Sequence, residues 1–133
     1  MYLRHLISQF ASIHIPCFRD ERTVENVTAA YENVMENPYV DIIGHPDDGR
    51  FPVDMKRLVS KAKKTGTLLE VNNSSLRPEG FRENTKENCL RMVKECKEQG
   101  VMIVLGSDSH VDADIAEYPY AEEILKKANF RRN

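Results

Sequence analysis

The feature that most constrains the fold of this chain is a repeated alternation of short apolar runs with longer segments of helical periodicity. Four runs rich in aliphatic and β-branched residues are candidate strands: residues 6–13, 40–44, 67–71 and 101–106. Strands that alternate with helices favour a parallel sheet. Their near-continuous apolar character is typical of strands that are buried on both faces. The pattern therefore predicts an α/β fold.

The segments between these runs carry helix signals. Apolar residues recur at i, i+3 and i+4 spacing in four segments: residues 23–36, 54–64, 84–100 and 120–128. Gly66 directly follows the second segment and predicts a left-handed residue at the end of that helix. Asn84, with Glu87 three residues later, resembles a capping box. Because no linker or repeat interrupts the series, we expect a single domain over residues 1–133.

Charge and composition exclude several classes of protein. The chain has 19 Lys and Arg against 21 Asp and Glu, a formal net charge of −2, which gives no electrostatic reason to expect nucleic acid. It has neither an apolar run of the roughly 18 residues that a membrane helix needs nor a secretory signal, so we expect no membrane partner and a cytoplasmic location. The spacing of Cys17, Cys89 and Cys96 fits neither a zinc ribbon nor a disulfide framework. Reduced thiols are expected, with Cys89 and Cys96 on one buried helix face.

Three of the four histidines fall where predicted strands end. His14 closes the first run, His45 follows the second, and Asp108 and His110 follow the fourth. The carboxyl ends of parallel strands converge on one rim, and imidazole and carboxylate are usual ligands of zinc, manganese and iron at hydrolytic sites. A single histidine of this kind is more often a loop residue, but the joint placement favours a metal site. Because clustered ions activate water and neutralise a phosphoryl group, hydrolysis is the expected chemistry.

Other polar residues near the strand ends give weaker indications. Glu70 lies inside the third run, where a buried carboxylate must be bonded, so it either positions a metal ligand or belongs to an ion pair. Arg77 and Arg82 could clamp a phosphate, although solvated loop arginines are more frequent. Asn73 and Ser75 are weak candidates for contact with the same substrate.

Three further polar residues have simpler interpretations. His5 lies away from a strand end and is expected at the surface. Asp47 and Asp48 follow His45 and Pro46 and are expected in a turn. A carboxylate so close to a metal site could instead carry a proton, but the turn is the better interpretation.

Three motifs together resemble the PHP (polymerase and histidinol phosphatase) family, with its YcdX-like phosphatase branch closest. They are Asp-Ile-Ile-Gly-His-Pro over residues 41–46, Leu-Glu-Val-Asn-Asn-Ser-Ser over 69–75 and Leu-Gly-Ser-Asp-Ser-His over 105–110. Residues 11–14 resemble the strand end that supplies an earlier ligand in that family. The resemblance covers about residues 14–128.

The resemblance implies a partial (β/α) barrel, related to a distorted seven-stranded, TIM-like barrel. It also implies a multinuclear cluster of zinc or manganese, which hydrolyses phosphate esters through metal-bound hydroxide. His14 and His45 would share one ion, Asp108 would bind another, and His110 would bind the third.

The chain also departs from the family pattern. The family's His-x-His pair, two further histidines and a bridging glutamate have no counterpart in residues 1–133. A complete barrel of this kind needs roughly 200 or more residues, so we expect the C-terminal portion, with about four strands and without the N-terminal strands. A homodimer could cover the open edges of such a half-barrel.

Three functions follow from these observations. The first is a metal-dependent phosphoesterase that acts on a small phosphorylated substrate. The alternative is a catalytically incompetent metal-binding or scaffold fragment, which the missing ligands favour because each ion would keep only one or two protein ligands. An accessory domain of a polymerase system is a third interpretation, which the near-neutral charge does not support.

Overall fold

The computed structural model of the chain describes residues 10–12, 18–106 and 118–131. Within these residues, four strands form one parallel sheet in chain order: β1 (Phe10–Ala11), β2 (Ile42–Ile43), β3 (Leu68–Asn72) and β4 (Ile103–Gly106). Four helices alternate with them: α1 (Val24–Met35), α2 (Met55–Thr65), α3 (Thr85–Gln99) and α4 (Pro119–Lys127). A short 3-10 helix, Ser74–Leu76, follows β3. The predicted α/β class with four parallel strands is confirmed.

Three strands begin later than predicted: β2 starts at Ile42 instead of residue 40, and β3 and β4 start late because their first predicted residues bond to the ends of the preceding helices. Gly66 has a φ of 74°, as predicted, and the backbone N–H of Thr67 donates to the carbonyl of Ala62. After α3, Val101 makes the equivalent bond to Cys96. These bonds close the helix ends, so the ladders start at Leu68 and Ile103. Of the first candidate strand, residues 10 and 11 are in β1, and residues 6–9 and 13 lie outside the described residues.

The helix starts are capped in two different ways. Thr23 and Asp54 begin α1 and α2 with extended backbone, and each side chain accepts a hydrogen bond from an amide three residues on. The capping box predicted at Asn84 is wrong, because this residue has a φ of 51° and its side chain makes no capping bond. A capping side chain needs extended backbone at that position. The preceding Glu83 is instead tied to the loop after β2, since its carbonyl accepts from the amide of Gly49.

The two faces of β3 have different roles. Leu69 and Val71 are fully buried in the core that the helices cover, whereas Glu70 and Asn72 alternate to the opposite face. The register pairs Glu70 with Val104 and Asn72 with Gly106. The core is built from one face of the sheet and the buried stripes of the helices, including Val27, Tyr31, Leu58, Val59, Met92, Val93, Ile124 and Leu125.

Two further expectations concern the helices. Cys89 and Cys96 are both fully buried in α3, as predicted, and both are free thiols. Burial raises the pKa of Cys96 to about 12, so this thiol is held in its unreactive, protonated form. None of the described helices combines the length and the apolar character that a membrane span requires.

Candidate functional site at the carboxyl ends of the strands

His45 lies where β2 leaves the sheet. The amide of Gly44 donates to the carbonyl of Ala11 at 2.8 Å, so the chain stays paired with β1 up to this point. His45 is buried, with 6% of its surface exposed, and has a φ of 34°. Left-handed backbone is uncommon for a residue other than glycine. Because Pro46 follows, right-handed helical backbone is also disfavoured at His45, and the main chain turns sharply at the rim.

Glu70 reaches across from β3 and contacts this turn. Its Oε2 accepts a hydrogen bond of 2.8 Å from the backbone N–H of His45, and its Oε1 accepts one of 3.3 Å from Nδ2 of Asn72. The side chain is buried. A bond to an ionised carboxylate is stronger than one between neutral groups. Of the two interpretations that the sequence leaves open, these contacts favour a residue that positions its neighbour.

Two glycines leave the space that Glu70 occupies. A Cβ on Gly106 would overlap Oε1 of Glu70, and a Cβ on Gly44 would overlap Oγ of Ser12 and lie 3.3 Å from Oε2 of Glu70. Both glycines end apolar runs of the sequence. Glycine at a strand end is a known sign of close approach by another group, and this signal was available before the structure.

Asp48 lies in the turn that follows His45, as predicted, since its carbonyl accepts from the amide of Phe51, but its side chain is buried. It binds the guanidinium of Arg50 with both carboxylate oxygens, at 2.7 to 3.1 Å, and also accepts from the amides of Arg50 and Glu83. Burial alone would raise its pKa, but these hydrogen bonds hold the pKa of Asp48 below its usual value. Asp48 therefore acts as a charged anchor between the loops after β2 and β3.

Asp47 is the other member of this turn, and only 1% of its surface is exposed. Neither carboxylate oxygen has a hydrogen-bond partner among the residues that the structure describes. Burial raises the pKa of Asp47 to about 7; Arg82 and the nearby backbone N–H of Asp47 itself oppose this shift, while Asp48 and Glu70 add to it. The alternative role of proton carrier stays a prediction.

The loop after β3 contains the four weak candidates for substrate contact. Oδ1 of Asn73 accepts hydrogen bonds from the amides of Tyr120 and Ala121, at 2.9 and 3.1 Å, and so holds the start of α4. Oγ of Ser75 accepts a hydrogen bond of 2.8 Å from Arg82. Arg77 and Arg82 line a cavity of about 330 Å³ beside the start of α3. These contacts give Asn73 a structural role, and substrate contact by any of the four stays a prediction.

Of the predicted metal ligands, His45 is described, whereas His14, Asp108 and His110 lie outside the described residues. Within the described ranges, no group of three or more His, Cys, Asp or Glu side chains could hold a metal ion. The ends of the neighbouring strands are described and lie at the same edge of the sheet as His45. The carbonyl of Ala11 accepts from the amide of Gly44, and the carbonyl of Gly106 accepts from the amide of Asn73 at 2.7 Å. A buried imidazole beside these strand ends has the donor chemistry that a zinc or manganese site uses.

Known proteins resemble the chain in sequence. No protein-family model matches it. A protein named probable phosphatase from Clostridium novyi is 48% identical over 115 residues, which are 86% of this chain and 46% of that protein. A probable phosphatase from Acetivibrio thermocellus is 40% identical over 128 residues, 96% of this chain and 52% of that protein. Over most of its own length, the chain is thus similar in sequence to proteins named probable phosphatase. It spans about half the length of the curated relatives it matches.

The fold is also found among solved structures. Histidinol phosphate phosphatase from Lactococcus lactis, crystallised with zinc, L-histidinol and phosphate, aligns with a TM-score of 0.65 over 92% of this chain and 56% of that protein. The sequence identity is 18%, so the likeness concerns the fold alone. It agrees with the predicted partial barrel of the PHP type.

Proposed function

We propose that this chain is part of a metal-dependent phosphoesterase of the PHP family, and that it corresponds to the C-terminal portion of a YcdX-like phosphatase barrel. The observation that carries the proposal is the position of His45, buried at the carboxyl end of a parallel sheet with its amide bound to Glu70. The likeness to probable phosphatases over most of the chain supports the same reaction class. We further propose a small phosphorylated substrate, a cytoplasmic location and a homodimer.

The residues that would hold the metal are His14, His45, Asp108 and His110. Zinc is the first candidate, because the structural relative was crystallised with it, and manganese is the second. When bound, such ions would activate water and balance the charge that develops on the phosphoryl oxygens.

The chain's own polar groups have separate tasks in this proposal. Glu70 holds the backbone of His45. Arg82, whose guanidinium donates to Ser75, and Arg77 would bind phosphate oxygens through paired N–H groups. Asn73 and Ser75 would complete the wall of the substrate site.

The test is phosphate release from 4-nitrophenyl phosphate by the purified 133-residue chain, with added Mn²⁺ or Zn²⁺ and after chelation. We expect metal-dependent turnover that falls at least about 100-fold in His45→Ala and His110→Ala, because each change removes a ligand. His5→Ala is the matched control and should keep the activity of the unmodified chain.

The same experiment separates the enzyme from the metal-binding scaffold. Binding of zinc or manganese that depends on His45, with no phosphate release at any metal concentration, would assign the scaffold to this chain. Absence of both binding and release would contradict both functions. A mass in sedimentation that stays monomeric at every concentration would count against the homodimer.

A further inference from the structure

We infer that Glu70 is a positioning residue of the proposed metal site, which fixes the main chain of His45 in its left-handed conformation. This inference rests on the proposed function, because the purpose of the arrangement is to set the place of an imidazole ligand. The bond that carries it joins the amide of His45 to Oε2 of Glu70 at 2.8 Å. The two residues are 25 positions apart in sequence, on the rim between β2 and β3.

The conformation of His45 needs an external support. A φ of 34° brings the β-carbon of an L-residue close to its own backbone, and such backbone persists only where the surroundings hold it. His45 and Glu70 are 6% and 5% exposed. Water therefore cannot easily replace the carboxylate as partner of the amide, and loss of the carboxylate would leave a buried N–H without its acceptor.

The surroundings of Glu70 are built to hold its carboxylate at this place. Asn72, which is fully buried, donates to Oε1 from the same strand, and its own Oδ1 accepts from the amide of Ser75. On the neighbouring strands, Gly44 and Gly106 lie where any β-carbon would crowd or displace the carboxylate. Asn72 on β3, Gly106 on β4 and Gly44 directly after β2 thus surround the glutamate that bonds to the amide of His45. Such outer contacts around metal ligands often control metal affinity.

The inference makes Glu70 act through hydrogen-bond geometry, which can be separated from its charge. Gln keeps the chain length and a carbonyl oxygen that can accept from the amide. Asp keeps the charge but shortens the side chain by one methylene, so its carboxylate would fall short of the amide. Ala removes both. We therefore expect Glu70→Gln to resemble the unmodified chain, whereas Glu70→Asp and Glu70→Ala should resemble each other.

The first measurement is hydrogen exchange of the His45 amide, followed by NMR in chelated protein. Exchange should be accelerated at least about tenfold by Glu70→Ala and Glu70→Asp, and changed less by Glu70→Gln. The second measurement is zinc affinity by competition with a chelating dye. Ala and Asp should weaken it about 10- to 100-fold, the range found for outer contacts of metal ligands, while Gln should stay within about tenfold. Glu79→Gln, at an exposed position in the loop after β3, is the control and should change neither quantity.

Gly106→Ala is an independent variant that leaves Glu70 and His45 chemically intact. Its added methyl group would overlap Oε1 of Glu70, so the carboxylate must move. The φ of Gly106 is not positive, so alanine at this position adds no backbone strain. We expect accelerated exchange of the His45 amide in this variant, with retained helical circular dichroism as the test of folding.

Three outcomes would overturn the inference. The first is an unchanged exchange rate of the His45 amide in Glu70→Ala or Gly106→Ala protein that is folded. The second is a loss of zinc affinity in Glu70→Gln as large as in Glu70→Ala while the amide stays protected, because Glu70 would then act by charge or as a ligand. The third is full zinc affinity in Glu70→Asp. If the unmodified chain binds no zinc, the proposed function fails, and the exchange rates still decide separately whether Glu70 holds His45.

Discussion

Replacing the buried carboxylate of Asp47 by the neutral amide of Asn is expected to stabilise the metal-free protein at neutral pH and above. Asp47 is 1% exposed, and its carboxylate oxygens have no partner among the described residues. Burial raises its pKa from 3.8 to about 7. The folded chain therefore binds this proton more tightly than the unfolded chain does.

The sign and size of the effect follow from proton linkage. Between about pH 4 and pH 7 the native state holds more of this proton than the unfolded state, so the free energy of unfolding falls as the pH rises, and it levels off above about pH 7. Each pH unit in this window changes the stability by about 1.4 kcal/mol. Asn cannot ionise and lacks this loss. The stability of Asp47→Asn relative to the unmodified chain should therefore increase by about 3 kcal/mol from pH 5 to pH 8.

The assay is urea unfolding of chelated protein, followed by circular dichroism at several pH values from 5 to 8. Asp20→Asn, at an exposed position, is the matched control and should show no such pH-dependent gain. A stability difference that stays constant over this range would refute the reasoning, as would an Asp47→Asn variant that is less stable than the unmodified chain at pH 8. Either result would mean that the carboxylate is compensated in the folded state.

Three other predictions concern stability and reactivity. Gly66→Ala should lower the free energy of unfolding by about 1 kcal/mol, measured by urea unfolding, because a β-carbon there meets no atom within 4 Å and the φ of 74° is the source of strain; a loss of several kcal/mol would contradict this origin. Leu58→Ala, at a fully buried position of α2, should cost about 2–5 kcal/mol in the same assay, and a loss below about 1 kcal/mol would show that the site is not packed. In Cys17→Ser, the buried thiols of Cys89 and Cys96 should react with a disulfide reagent only after urea unfolding, so rapid labelling of folded protein would be inconsistent with their burial.

Local signals in the sequence predicted much of the fold. The alternation of apolar runs and amphipathic segments gave the parallel sheet and all four described helices to within a few residues. Gly66 marked the end of α2 because only a local left-handed turn is needed there. The position of His45 at a strand end was also predicted from local sequence, because it depends on the strand that immediately precedes it.

The features that sequence reasoning missed depend on contacts between distant segments. The pairing of Glu70 with the amide of His45 spans 25 residues, and the contact of Asn73 with the amide of Ala121 spans 48. Asp47 and Asp48 have ordinary turn residues around them, and they are buried in contact with distant residues: Asn88 bonds to the carbonyl of Asp47, 41 positions away, and Glu83 bonds to Asp48, 35 positions away. Asn84 has the sequence expected of a helix cap. Its neighbour Glu83 is bonded to Gly49, however, and Asn84 itself has left-handed backbone, from which its side chain does not cap the helix.

Metal content tests the central claim most directly. The chain should be purified without chelator, and its zinc and manganese measured by elemental mass spectrometry against protein concentration. We predict at least about one ion per chain and a clear loss of that ion in His45→Ala. A site with few protein ligands should lose much of its metal affinity when one ligand is removed. Well under one ion per chain, or equal metal content in the two proteins, would contradict a metal site at this end of the sheet.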